Sequence, residues 1–399
     1  MPEERKLKKP TRTYFDAVGT IEFKQEDYFP NQIGKNNPNY RYSRLMFYLK
    51  HNEQKTRINL IGGFTPETKI YCLNDTNETI IINFADRGNE ELIKQVSTIN
   101  LFQIGLGKID VPKVDILTNE VIMKNGQPEM VKIWNYQNYL AEYDLINFLG
   151  QNISNGMRVR ITGEITYDMY ADQVQKNYKI NKIYFLTEDE KFDDRFALRV
   201  ETLIDKNSLD KAEPIVQGDN EYKIKINSKI FHQVNKNKRK IIPLDIFYVY
   251  KEEDKDKVNR LIKKLFKIEN NTIRKLTVEC SLFSGRVYNQ PTSDQLTTEI
   301  TPELQDLIDS GYYTKEEILR KANPGEYSET KFVEEIRFEK PSLIKKDGVI
   351  RLSIDDEFYV PDDLINLEIT KDRSDEWTSL SEEEHAALIA DIDDLFGDN

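Results

Sequence analysis

The sequence predicts a mainly β protein with a few helices, of the α+β class, built as two small barrels in tandem with insertions and a disordered acidic tail. Three observations predict this fold class. Stretches of alternating apolar and polar residues occur in both halves of the chain, as half-buried strands require. Aromatic residues are plentiful, with 21 Tyr and 19 Phe among 399 residues. A run of three strands, a helix and a further strand is predicted twice.

Composition and the predicted elements together place the domain boundaries. We expect a basic N-terminal arm at 1–13, a first barrel domain at 14–188 with an insertion at about 64–140, a second barrel domain at 195–345 with a helical insertion at about 300–325, a linker at 346–371 and an acidic tail at 372–399. The arm is either a solvated terminus, which the sequence favours, or a segment that contacts phosphates. The first insertion covers a groove, mediates dimerisation or extends the sheet, and the sequence leaves these three open.

The strand predicted at 40–50 is the most informative one. Leu45, Phe47 and Leu49 point to one of its faces, which indicates a core. The other face is aromatic and basic and, with one residue of the next strand, gives a first candidate surface: Tyr40, Tyr42, Arg44, Tyr48, Lys50 and Arg57. Aromatic rings stack on unpaired bases, and cations between them hold phosphates. The alternative is that these tyrosines pack beneath an inserted loop.

The stretch from 143 to 186 predicts how the first barrel ends. A short helix at 143–149 is followed by an alternating strand at 157–165, in which Gly163 indicates a bend, and by a partner strand up to 186. This order is that of the second half of an OB barrel. The polar side of the first strand carries Arg158 and Arg160, which we expect to flank the first candidate surface.

The same stretch resembles a known family. The run from Gly156 to Ile165, followed by Tyr167 and Tyr170, is similar to the end of the OB domain in single-stranded DNA-binding proteins. The resemblance implies an OB-like barrel in the first half and single-stranded DNA as the ligand, and the repeated order of elements predicts a second OB-like barrel in the second half. The motif is short, and OB proteins with other ligands share it.

A second candidate surface is predicted in the second half. Strands are expected at 196–204, 222–231, 241–250, 276–283 and 331–338, with a helix at 257–268. Seven bases and no acid lie between residues 222 and 240. We expect them to face the solvent together with one aromatic residue: Lys223, Lys225, Lys229, Phe231, Lys236, Lys238, Arg239 and Lys240. Such a hairpin suits a phosphate backbone; the alternative is an edge strand that lysines protect from aggregation.

Negative charge is concentrated in the tail. Residues 372–399 contain ten acids and one arginine, so they carry −9 of the net charge of −12 and leave −3 on residues 1–371. Apolar residues recur among these acids, and the tail resembles those of bacterial and phage single-stranded DNA-binding proteins. Its predicted partner-binding residues are Asp391, Ile392, Asp393, Asp394, Leu395 and Phe396. The bacterial tail ends on Pro-Phe, whereas three residues follow Phe396 here, so docking through a terminal Phe carboxylate is not expected.

Several function classes find no support in the sequence. No signal peptide or long apolar run is present, so we expect a cytoplasmic protein, in the host cytoplasm if it is phage-encoded. The two cysteines are far apart, the three histidines are isolated, and no nucleotide-binding or nucleophile motif occurs. Adjacent aspartates occur in predicted turns. Such carboxylates could hold the metal ions of a two-metal nuclease, but in turns we expect them simply to be solvated. We therefore expect no enzyme, no cofactor and no metal site.

The sequence thus favours a sequence-nonspecific single-stranded DNA-binding protein acting in phage DNA replication or recombination. Its partners would be single-stranded DNA and, through the tail, replication or recombination proteins, with no membrane contact; the oligomeric state stays open. The alternatives are an OB-fold protein-binding scaffold of a replisome and a single-stranded RNA-binding protein.

Overall fold

The computed structural model describes residues 10–115, 118, 120–170, 173–209, 221–235, 238–268, 273–288, 300–313, 318, 321, 330–346 and 348–354. The predicted acidic tail and most of the predicted linker at 346–371 lie outside these residues. Within them the protein is mainly β with a few short helices, as the alternating patterns predict.

The strands are β1 (Thr13–Glu22), β2 (Tyr28–Ile33), β3 (Arg41–His51), β4 (Gln54–Phe64), β5 (Lys69–Leu73), β6 (Thr79–Asn83), β7 (Phe102–Pro112), β8 (Met123–Lys124), β9 (Gln127–Pro128), β10 (Met130–Tyr139), β11 (Arg158–Tyr170), β12 (Gln173–Phe185), β13 (Arg195–Ile204), β14 (Glu221–Asn235), β15 (Lys238–Lys251), β16 (Arg274–Tyr288), β17 (Thr330–Pro341), β18 (Leu343–Lys346) and β19 (Val349–Leu352). The helices are α1 (Glu90–Gln95), α2 (Glu142–Asn152), α3 (Lys255–Phe266) and α4 (Pro302–Asp309). Among the described residues, no helix has the length and apolar character needed to span a membrane.

The first half of the large sheet is built around β1. One edge of β1 pairs with β11, and the other edge pairs first with β13 and then with β3. β3 in turn pairs with β2 and β4. Phe15, Ala17 and Ile21 alternate along β1 and are buried, so the apolar side of this strand lies in the core. α2 includes the short helix predicted at 143–149 and buries Leu145, Ile146 and Leu149.

In the second half, the series of paired strands begins and ends at the same strand, β13. β13 pairs with β14, β14 with β15, β15 in parallel with β17, β17 with β16, and β16 with β13. α3 lies in the chain between β15 and β16 and buries Val258, Ile262 and Leu265. In the first half, β4 pairs only with β3 among the described strands. The largest sheet is therefore continuous across both halves and is not two clean, separate barrels.

The insertion between β4 and α2 extends the sheet, which is one of the three roles that the sequence left open. β7 pairs in parallel with β12, and β10 pairs with β7 at the edge of the sheet. A tight turn lies at Asn125-Gly126, where both residues have positive φ and β8 pairs with β9 around them. β5, β6 and α1 pack around a small core of their own: Cys72, Ile82, Val96, Leu101 and Leu140.

The chain divides into two compact units, residues 1–281 with 336–399, and residues 282–335. In the second unit, α4 begins after Thr301 and ends before Gly311, which has a φ of +76°. This helix lies in the helical insertion predicted at about 300–325. The rest of that insertion falls mostly outside the described residues. The predicted domain bounds stay a prediction, and the pairing of β1 with β13 joins the two predicted barrel domains in one sheet.

Gly163 allows β11 and β12 to approach each other closely. The register of the two strands shifts between Thr162 and Gly163, which confirms the irregularity that the glycine predicts. A Cβ atom at position 163 would lie 2.0 Å from the carbonyl oxygen of Lys179 and 2.9 Å from the ring of Phe15. The nearest obstacle is backbone and cannot turn away as a flexible side chain can.

We expect Gly163→Ala to destabilise the protein by about 1–3 kcal/mol, because the strands must separate to admit one methyl group. Urea unfolding followed by circular dichroism measures this change. Gly88→Ala is the matched control, since a Cβ atom at position 88 has no neighbour within 4 Å. Equal unfolding midpoints for Gly163→Ala and the unmodified protein would contradict the close approach.

Candidate nucleic-acid interface

β3 and β4 form a hairpin with two different faces. The strands pair along their full length, from Arg41 opposite Phe64 to His51 opposite Gln54. One face is core, as predicted, and its buried side chains are Leu45, Phe47, Leu49, Ile58 and Leu60. The opposite face, which we call the β3–β4 face, consists of Tyr42, Arg44, Met46, Tyr48, Lys50, Lys55, Arg57 and Asn59.

Cross-strand contacts order the β3–β4 face. The Nε atom of Arg57 lies 2.8 Å from the Sδ atom of Met46, directly beside the Tyr48–Arg57 pair. The Nζ atom of Lys55 lies 4.4 Å from the centroid of the Tyr48 ring and also pairs with Glu22. A ring with a cation above it and a second cation beside it can stack on a base while holding the adjoining phosphate.

Four of the six predicted residues of the first surface lie where the sequence places them. Tyr42 and Tyr48 are half-buried, and Lys50 and Arg57 are exposed. Lys55 also lies on this face and was not among the predicted residues, although its position in the sequence could have identified it. A two-residue turn after His51 places Lys55 opposite Lys50. Counting back two residues from Arg57 toward this turn therefore identifies Lys55 as part of the same face.

The expectation that Tyr40 faces the solvent is wrong, since Tyr40 is only 8% exposed. Its ring stacks on Tyr42 at 5.9 Å and 19° and occupies the space over Gly63, where a Cβ atom would lie 2.3 Å from the Tyr40 hydroxyl oxygen. Burial raises the pKa of Tyr40 to about 12, with further contributions from Tyr42 and Glu142. Tyr40 therefore supports the Tyr42 ring from one side and is not itself a contact surface.

Arg44 also departs from the prediction, because it is only 4% exposed. Its Nε atom donates a hydrogen bond to the Oδ1 atom of Asn59 at 3.0 Å. Burial lowers the pKa of Arg44, and the positive charge of Arg57 lowers it further. An anion bound next to these two guanidinium groups would relieve their repulsion, so Arg44 adds positive potential to the face without being exposed.

Arg158 and Arg160 are held by carboxylates. The Nη2 atom of Arg158 lies 2.6 Å from Asp194, and Arg160 binds both oxygens of Asp16 at 2.8 and 3.1 Å. Burial acts to raise the pKa of Asp16, but hydrogen bonds from Arg160 and Arg195 outweigh it and lower that pKa. Both arginines thus already neutralise an acid, and their contact with phosphates stays a prediction.

The second candidate surface shows the predicted alternation on β14. Ile224, Ile226 and Ile230 are buried, and the lysines between them point away from the core. Two of these lysines form ion pairs, Lys225 with Asp245 at 2.9 Å and Lys229 with Asp205 at 2.5 Å. The third lysine, Lys223, places its Nζ atom 4.1 Å from the ring of Phe247.

Phe231 does not face the solvent as predicted, since it is only 2% exposed. It packs with Leu203 and Ile273. The backbone of Thr11 donates a hydrogen bond to the Phe231 carbonyl at 2.9 Å, and the Phe231 amide donates to the Thr11 hydroxyl at 2.8 Å. The N-terminal segment therefore covers this end of β14, which local periodicity does not show.

The remaining predicted residues cannot be placed. The side chains of Lys236, Lys238, Arg239 and Lys240 lie outside the described residues, as do Asp391, Ile392, Asp393, Asp394, Leu395 and Phe396 of the tail. In the part of the chain that the structure describes, no three His, Cys, Asp or Glu residues lie close enough together to hold a metal ion.

No protein-family model matches this chain, and no curated protein matches its sequence with significance. Among solved structures, the chain is similar to the wild-type single-stranded DNA binding protein from Thermus aquaticus, with 9% identity, a TM-score of 0.31, and coverage of 69% of this chain and 87% of that one. A deletion mutant of the Thermus aquaticus protein gives 8% identity, a TM-score of 0.29, and coverage of 73% and 97%. Similarity at this level says nothing of the ligand of this chain.

Glu142, the first residue of α2, is a titratable group beside the interface. Burial raises the pKa of its carboxyl to about 7, against the opposing charge of Lys179. The unfolded chain releases this proton near the ordinary glutamate pKa, whereas the folded protein keeps it up to about pH 7. The free energy of unfolding therefore decreases as pH rises from the ordinary glutamate pKa to about 7. This loss of stability reaches its full size above the pKa of Glu142 in the folded protein.

We expect Glu142→Gln to raise the urea midpoint relative to the unmodified protein at about pH 8, and this gain to vanish at about pH 3, where both states are protonated. Glu90→Gln is the matched control, because Glu90 is the exposed first residue of α1. A gain of equal size at both pH values would show that the carboxyl is not responsible.

Proposed function

We propose that this protein binds single-stranded DNA without strong sequence preference, and that it is not an enzyme. The observation that carries this proposal is the β3–β4 face, where two half-buried tyrosines share a surface with the cations of Arg44, Lys50, Lys55 and Arg57. Stacking on rings is tolerant of sequence because every base has a π face. Duplex bases are already stacked, so this arrangement favours single strands.

The spacing along β3 suits an extended strand. Tyr42 and Tyr48 are six residues apart, so they are separated by about 20 Å at the ordinary rise of a strand. The cations lie between and beside them. One chain of nucleotides that follows β3 would meet a ring at each end and positive charge in between.

The fold supports the same location. We interpret each half as an OB-like barrel, because β13, β14, β15, α3, β16 and β17 follow the OB order, with the third and fifth strands parallel. The first half follows the same order with β1, β3, β4, α2, β11 and β12. OB folds bind oligonucleotides on the face of their second and third strands. In the first half these strands are β3 and β4, and in the second half they are β14 and β15.

We further propose that the protein acts in phage DNA replication or recombination and that its tail recruits partner proteins through Ile392, Leu395 and Phe396. The same tail would compete with DNA, because a peptide of charge −9 resembles a phosphate chain. The wider role rests on the resemblance of the tail to those of phage replicative proteins.

The central test is a fluorescence anisotropy titration with single-stranded DNA, single-stranded RNA and duplex DNA of equal length. We expect Tyr42→Ala with Tyr48→Ala to weaken binding of the DNA strand at least about 30-fold, since each of the two stacked bases contributes about 1–3 kcal/mol. Tyr312→Ala is the matched control, because Tyr312 is 77% exposed and lies outside the β3–β4 face.

The outcomes separate the candidate functions. Unchanged affinity in the double variant would exclude the β3–β4 face as the stacking surface. Equal or tighter binding of RNA would favour the RNA-binding alternative. Absence of binding to all three nucleic acids would favour a scaffold whose barrels bind proteins.

Deletion of residues 372–399 should tighten binding of single-stranded DNA, most strongly at low salt, because the competing negative charge is removed. The same titration at low and high salt measures this effect. In the full chain, Asp391→Asn with Asp393→Asn and Asp394→Asn should shift the affinity in the same direction by a smaller amount. Weaker binding after the deletion would disprove competition by the tail.

A further inference from the structure

Three aromatic rings meet on the outer side of the sheet where the insertion joins it. Trp134 and Tyr136 come from β10 and Tyr184 from β12, and we call these three residues the ring cluster. The centroid of Tyr184 lies 4.9 Å from that of Trp134 and 6.0 Å from that of Tyr136. The two tyrosine hydroxyls are 3.4 Å apart. The strand between them carries Gly105, where a Cβ atom would lie 2.9 Å from both Trp134 and Tyr184.

The rings of this cluster keep exposed surface. Tyr136 is 36% exposed, and Trp134 and Tyr184 are half-buried. The planes of Trp134 and Tyr136 make angles of 61° and 68° with that of Tyr184, so the rings meet edge to face. An edge-to-face contact does not cover both faces of every ring, whereas a parallel stack such as Tyr40 on Tyr42 covers the faces that meet.

Each ring has a cation beside it. Lys108 lies 5.3 Å from the Trp134 ring, Lys182 lies 6.0 Å from the Tyr136 ring, and Arg160 lies 5.9 Å from the Tyr184 ring. Lys108 also pairs with Glu190, and Arg160 with Asp16. Lys182 forms no ion pair within the described residues. Rings flanked by cations repeat the chemistry of the β3–β4 face.

Strand register places the ring cluster and the β3–β4 face on the same side of the sheet. Thr20 of β1 is opposite both Lys50 and Arg158, so these three side chains share one side. Arg160, two residues after Arg158, is opposite Tyr184. Tyr184 is opposite Gly105, which is opposite Tyr136. Three strand spacings, about 14 Å along the sheet, separate β3 from β12.

We propose that the ring cluster binds a further unpaired base of the same DNA strand, with Lys182 holding the adjoining phosphate. This inference rests on the proposed function and lengthens its interface across β1 and β11. A strand bound on the β3–β4 face would pass Arg158 and Arg160 before it reaches the cluster. A cluster that only fastens the insertion to β12 would require neither exposed rings nor a cation beside each ring.

The chain contains only two tryptophans, which makes a direct test possible. In a Trp377→Phe variant, Trp134 is the only indole, and a base stacked on it quenches its fluorescence. We expect quenching by a long single-stranded oligonucleotide to follow binding measured by anisotropy of a label on the DNA. Inorganic polyphosphate is the control ligand, since it has the charge but no bases, and it should not quench.

The affinities of two single-residue variants for oligonucleotides give a second readout. Tyr136→Ala should weaken binding of the long oligonucleotide at least about fivefold, the lower end for one stacked base. Lys182→Gln should also weaken it, because one phosphate contact is lost. An oligonucleotide too short to extend past the β3–β4 face should bind both variants as it binds the unmodified protein. Both substitutions lie at partly exposed positions, and circular dichroism checks that the variants are folded.

The results distinguish the two proposals. If the long oligonucleotide binds but neither quenches Trp134 nor distinguishes the variants, the ring cluster is not a base site and the proposed function stands. If no single-stranded DNA binds at all, both proposals fail. If polyphosphate quenches as strongly as DNA, the change at Trp134 reflects charge and not stacking, and the cluster proposal is overturned.

Discussion

β1 is the strand on which both halves of the large sheet depend, because both of its edges are hydrogen-bonded. Its first edge is used by β11, and its second is divided between β13 and β3. Gly19 permits the approach of β3, since a Cβ atom there would lie 2.3 Å from the carbonyl oxygen of Lys50. Successive residues of a strand point to opposite sides, so β1 also decides which side chains of its neighbours share a surface. The β3–β4 face and the ring cluster lie on one side of the sheet for this reason.

The local arrangement of ion pairs, and not net charge, indicates where an anion would bind. Residues 1–371 carry a net charge of −3, which by itself would not attract a phosphate chain. Several predicted cations are already neutralised, as Arg160 is by Asp16 and Lys225 by Asp245. On the β3–β4 face, burial lowers the pKa of Arg44, and the positive charge of Arg57 lowers it further, whereas Tyr42 and Asp27 act to raise it. A bound anion would lessen the repulsion between Arg44 and Arg57, in line with the function proposed for this face.

Local periodicity predicted the elements whose burial depends on their own sequence. The two faces of β3 and the apolar sides of α2 and α3 follow directly from the spacing of apolar residues. The predictions for Tyr40 and Phe231 were wrong because their covering partners, Gly63 and Thr11, are remote in the chain. The ring cluster could not be predicted either. It exists because β7 pairs in parallel with β12, and nothing in the alternation of one strand specifies which distant strand lies beside it.

Glycine and ring geometry together explain why aromatic residues on the same sheet differ in how much ring surface they leave uncovered. A ring that lies over a glycine of the next strand is held in place, as Tyr40 is over Gly63 and Trp134 is beside Gly105. Tyr40 then meets Tyr42 at 19°, so the ring face toward Tyr42 is used within the protein. Trp134 meets its neighbour at 61°, and this angle leaves ring surface for another partner. In a β-rich chain, the number of aromatic residues therefore overestimates the stacking surface, because each parallel pair of rings removes two faces from contact with a base.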